Sequence, residues 1–133
     1  MSDEGVKQTD VQAWVRKAAL DLRAAELDLN AEPPLVADAA FHCQQAVEKL
    51  LKAVLTWREV PFRKTHDLGE LGLRVAQLVP KLELLLRSAA PLSEYAWRYR
   101  YPDVDDEPPA WEAEDALVLA RQVFEAVTQL LNL

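Results

Sequence analysis

FHCQQAVEKLLKAVL, residues Phe41–Leu55, decides the fold. Placed on a helix at about 100° per residue, Cys43, Ala46, Val47, Leu50, Leu51 and Val54 form one wide apolar face, which Trp57 continues. His42, Gln45, Lys49, Lys52 and Thr56 gather on the other side. Pro34 before the segment and Pro61 after it bound the helix, since proline in a helix interior forfeits a hydrogen bond, so a helix is expected over about 35–59.

The same period extends outward. Val11, Trp14, Val15, Ala18, Leu22, Ala25 and Leu29 draw a stripe that predicts a helix over 9–29, with Thr9 or Asp10 as its cap. Leu71, Val75, Leu78, Leu82, Leu85 and Leu86 predict a third helix over 68–90, capped by Thr65 or Asp67 and kinked or split at Pro80. A short helix follows at 92–97, and a last one at 110–131 carries Ala113, Leu117, Ala120, Phe124, Val127 and Leu131 on its inner side. VPF at 60–62 is the only β-like run and is too brief for a strand. The expected fold is therefore all-α, a four- to five-helix up-and-down bundle. Residues 1–8 are expected to be a flexible N-terminal segment and 9–133 a single helical domain.

Composition narrows the functions. No apolar run reaches the roughly 18 residues of a membrane span, and the acidic start MSDEGVKQTD is not a secretory signal, so a cytoplasmic protein without membrane contact is expected. A single cysteine, Cys43, excludes an internal disulfide and a four-cysteine zinc site. Three glycines leave no Gly-rich phosphate loop. The formal charge of −7 argues against non-specific duplex binding only if it is evenly spread, and it is not. Residues 49–101 carry ten bases against five acids, whereas 103–115 hold seven acids and no base. The basic middle suits an anionic ligand.

The candidate binding residues lie in that middle and just before it. His42, Gln45, Lys49 and Lys52 share a helix face that could donate to a phosphate, or could simply be solvated. Arg63, Lys64 and His66 precede a helix start, where backbone N–H groups attract anions, although capping alone explains Thr65 or Asp67. Arg98, Tyr99, Arg100 and Tyr101 combine guanidinium and aromatic groups suited to phosphate contact and base stacking. Equally, these arginines could pair with Asp103, Asp105, Asp106 or Glu107, acids that would then screen them until a ligand competes. No metal and no cofactor are expected: His42 and His66 are not at ligand spacing, and the acids of 103–115 lack a calcium-loop pattern. Cys43, amid apolar neighbours, reads as a core thiol. Four tryptophans and many leucines exceed what a small bundle hides, which points to a helix-mediated homodimer.

FHCQQAVEKLLKAVL, then THDLGEL (Thr65–Leu71), then YRYPD (Tyr99–Asp103), in this order, resemble the HEPN domain family of small helical bundles found in prokaryotes and some eukaryotes. The resemblance implies three things. Many HEPN domains are ribonucleases that use an Arg-x(4–6)-His motif near the last helix. This chain departs from that pattern, because His42 and His66 both lie upstream of Arg98 and Arg100, and no arginine has a histidine at the required step. Branches with the QQA-E-K helix and the RYPD loop are regarded instead as nucleotide-binding modules that work beside a small nucleotidyltransferase, as in toxin–antitoxin or stress-related pairs. HEPN domains also dimerise. The expected function is thus a non-catalytic nucleotide- or RNA-binding module with such a partner chain. The alternatives are a divergent ribonuclease using Arg98, Arg100 and His66, and a helical interaction scaffold.

Overall fold

The computed structural model describes the backbone of residues 3–102 and 107–133, with side chains from Gly5 onward. Five α-helices follow one another: α1 Asp3–Asn30, α2 Val36–Trp57, α3 Leu68–Leu78, α4 Glu83–Ala89 and α5 Ala110–Leu131. One 3₁₀ turn, Pro80–Leu82, joins α3 to α4, and another, Ala90–Ala96, follows α4. No strand occurs among the described residues. The chain is the all-α bundle that its apolar stripes predict.

Helix α2 is the axis of the bundle. It packs on α1 most extensively, then on α5, and on α3 and the second 3₁₀ turn. Cys43, Ala46, Val47, Leu50 and Val54 are completely buried, because three sides of the helix meet apolar partners. Burying each large aliphatic side chain contributes about 1.5–3 kcal/mol, and α2 supplies Val36, Val47, Leu50, Leu51, Val54 and Leu55 to the core. Burial pushes the Cys43 thiol up to about 12.

The ends of the elements have local causes. Helix α1 starts at Asp3, not at Thr9. Thr9 is therefore no cap, and its hydroxyl instead donates to the Gly5 carbonyl one turn back (2.9 Å). Proline 80 does split the third helix. Asp67 caps α3 by accepting from the backbone N–H of Gly69 (2.9 Å) and Glu70 (3.1 Å). At the end of α2, Val60 N–H reaches Leu55 O and Glu59 N–H reaches Thr56 O, a Schellman closure that sets Glu59 at φ 58°. The segment expected as a short helix over 92–97 is the 3₁₀ turn Ala90–Ala96.

Candidate functional site

Glu48 lies on α2 with its carboxylate in the protein interior, and three polar side chains converge on it. Lys52, one turn on, donates to Glu48 Oε2 (2.9 Å), and Gln44, one turn back, donates to Oε1 (3.0 Å). His66, from the loop before α3, holds Nδ1 2.7 Å from the same Oε1. An ionised carboxylate only accepts, so Nδ1 carries the proton and Nε2 is left to face outward on a ring that is 68% exposed. Gln44 also donates to the His66 carbonyl (3.3 Å), and Gln45 donates to Gln44 Oε1 (2.7 Å), which orients the amide. Burial opposes ionisation of Glu48. The hydrogen bonds from His66, Lys52 and Gln44 outweigh it, and its carboxyl titrates below the usual range.

Above this network lies a basin of about 410 Å³, lined by Trp14, Lys52, Phe62, Lys64, Thr65 and His66. The Lys52 ammonium is 5.6 Å from the Trp14 ring centre and 5.9 Å from that of Phe62, and the two rings meet edge to face. Lys64 is exposed at the rim and forms no ion pair among the described residues. Arg63, its neighbour, is occupied: its guanidinium grips Glu70 through two bonds of 2.9 Å each. The basin thus offers aromatic walls, an ammonium at the rim and an imidazole aimed outward.

His42 and Lys49 sit on another side of α2, against α1. His42 Nδ1 is 2.9 Å from Asp21 Oδ1, and Lys49 donates to Asp21 Oδ2 (2.5 Å). His42 Nε2 faces Asp38 Oδ2 at 3.4 Å, and Asp28 lies close by. Burial, followed by the neighbouring Asp38 carboxyl, pushes Asp28 up to about 6.

The segment after α4 forms a third region. Tyr95 and Tyr99 stack at 6.4 Å, and the buried Tyr95 hydroxyl donates to Glu112 Oε1 (2.6 Å). Tyr99 adopts φ 68°, a left-handed conformation uncommon for a bulky residue. Arg98 contacts Glu94 (3.3 Å) and lies 4.7 Å from the Tyr99 ring centre. Arg100 stacks 3.9 Å over Phe41 of α2, and Tyr101 is exposed. Asp103, Asp105 and Asp106, expected to screen these arginines, lie outside the described residues.

The single basic face expected on α2 is therefore divided. Lys52 and Gln45 belong to the Glu48 network with His66, and Lys64 only lines the basin above it, whereas His42 and Lys49 are tied to Asp21. Lys52 is buried, contrary to its reading as part of a polar outer face, because Trp14 and Phe62 cover it. Arg100 meets Phe41 of α2, whereas Arg98 and Tyr99 stay with Glu94 and Tyr95 of their own segment and Tyr101 is exposed. Sequence reasoning missed Gln44, Glu48 and Asp21. The signal for Glu48 was its place within QQAVEKLLK, four residues before a lysine on a helix whose flanks are otherwise apolar.

No helix among the described residues is long and apolar enough to cross a membrane. No curated protein and no solved structure matches the chain significantly. The family model of the HEPN domain matches residues 11–130, from the first buried valine of α1 to the last turn of α5. That match spans all five helices and the motif-bearing loops between them, and the chain belongs to the HEPN domain family.

Proposed function

We propose that this HEPN chain is a non-catalytic module that binds a nucleotide or a similar anion in the basin at Lys52, Lys64 and His66. The observation that carries the reading is the joining of aromatic walls, Trp14 and Phe62, to an exposed imidazole and a rim ammonium. A base stacks on the first and a phosphate meets the second. Arg98, Arg100 and Tyr101 extend the basic surface toward the start of α2. The module acts with a small nucleotidyltransferase chain, as one half of a toxin–antitoxin or stress-related pair, and it works as a homodimer. Exposed Leu20 and Leu27, seven residues apart on α1, support the dimer. Titration calorimetry with ATP, GTP and UTP tests the binding. Affinity should fall about tenfold in Lys64→Ala, the loss of roughly 1.4 kcal/mol for one charged contact. No heat at millimolar nucleotide overturns the reading.

One observation favours a second reading, a divergent ribonuclease. His66 is backed by the Glu48 carboxylate, which fixes its tautomer and leaves Nε2 outward, as a general base requires. Cleavage of single-stranded RNA by the wild type, lost in His66→Ala, would support this reading over the first. Cleavage that survives the substitution would exclude His66 as its base.

A further inference from the structure

We propose that Asp28, Asp38 and His42 form a binding site for one divalent cation of the zinc–manganese class on the seam between α1 and α2. Asp38 and His42 stand one turn apart on α2, and Asp28 arrives from the last turn of α1. One ligand atom from each lies within 4.8 Å of the other two. A cation held at about 2.0–2.2 Å from three ligands at tetrahedral to trigonal angles separates them by about 3.3–3.8 Å, so the widest separation within that limit closes by about an ångström, while His42 Nε2 and Asp38 Oδ2 already stand 3.4 Å apart.

Two further observations point to a cation. The first is the orientation of His42. Asp21 accepts from Nδ1 (2.9 Å), and Asp21 is itself held by Lys49. The Nε2 lone pair is thereby directed at Asp38, 3.4 Å away, in the carboxylate–histidine arrangement that prepares an imidazole for a metal. The second is Asp28 Oδ2, which is shielded from solvent and has no hydrogen-bond partner. A buried carboxylate oxygen left unpaired is costly, and a cation shared with Asp38 would satisfy it. Three carboxylates, Asp21, Asp28 and Asp38, meet one lysine here, so the seam retains negative charge that a cation would neutralise. One imidazole with two carboxylates suits zinc or manganese better than calcium or magnesium, which favour all-oxygen shells. Asp38 is half exposed, which leaves room for water to complete the shell.

The spacing was present in the sequence. Asp38 and His42 are four residues apart, one turn of a helix, whereas Asp28 comes from a different helix and joins them only through packing. The site is independent of the basin at His66.

Calorimetry of the full chain, first dialysed against chelator, with Zn²⁺, Mn²⁺ and Mg²⁺ is the test. One Zn²⁺ or Mn²⁺ per chain is expected, binding more tightly than Mg²⁺, with the melting temperature rising on addition. Asp38→Asn, at an exposed position, and Asp28→Asn should each weaken binding about 10- to 100-fold, with circular dichroism confirming that both fold. His66→Ala should leave it unchanged. Absence of stoichiometric binding overturns the site. Binding unaltered in both aspartate variants, or abolished by His66→Ala, overturns it equally.

Discussion

Glu48 and Lys52 form an ion pair one helical turn apart, Oε2 to Nζ 2.9 Å, with neither side chain more than a tenth exposed. Such a pair is costly to desolvate and costlier to break, because removing one partner strands the other charge. Glu48→Gln should therefore lose about 3–5 kcal/mol in urea unfolding. Glu48→Gln/Lys52→Met, which removes both charges, should recover more than half of that loss. A double variant no more stable than the single would show that His66 and Gln44, not the ion pair, dominate the network.

Glu48 also sets a pH dependence. Its carboxyl titrates lower in the folded chain than its ordinary 4.5, so the folded state holds its proton less tightly than the unfolded state. The stabilisation is fully present above about pH 4.5 and is lost as pH falls through the depressed value. Unfolding free energy measured from pH 7 to 3 should drop in this acid window. The drop should be shallower in Glu48→Gln, which has no carboxyl there to protonate. Equal slopes would remove Glu48 as its source.

The turn after α2 places Glu59 at φ 58°, where a side chain crowds its own backbone. Glycine has no such conflict, and Glu59→Gly should gain about 1 kcal/mol in chemical denaturation. The side-chain contact given up among the described residues is a long pair with Lys7 at 3.9 Å. Surface pairs of this kind contribute little. A loss of stability would mean that the unfolded-state entropy of glycine outweighs the relieved strain.

Two leucines separate core from surface. Leu50 is fully buried on α2, and Leu50→Ala should cost about 2–5 kcal/mol. Leu73, 63% exposed on α3, should cost less than about 0.5 kcal/mol on the same change. A large cost at Leu73, appearing only at high protein concentration, would place that residue in a contact between copies of the chain.

The sequence carried the local parts of this structure. The apolar face of α2 was legible because helical period alone places Cys43, Ala46 and Leu50 together. The cap at Asp67 and the break at Pro80 depend only on neighbouring residues, and both were legible too. The pairing of Glu48 with His66 was not, since it depends on how the loop 58–67 folds back over eighteen residues of chain. Asp21 was hidden for the same reason: only the packing of α1 on α2 brings it to His42 and Lys49. Lys52 looked solvated because Trp14 and Phe62, which cover it, come from two other elements. The early start of α1 was missed because Thr9 resembles a cap, whereas its hydroxyl bonds back into a turn already formed.

The lone sulfhydryl at the centre of α2 has a practical consequence. Protonated at neutral pH and closed to solvent, Cys43 reacts with an alkylating reagent only when the bundle opens around it. The rate of its modification in native buffer is therefore a clock for opening of the folded chain. Because the molecule has one such group, the signal comes from a single place, without any label having to be introduced.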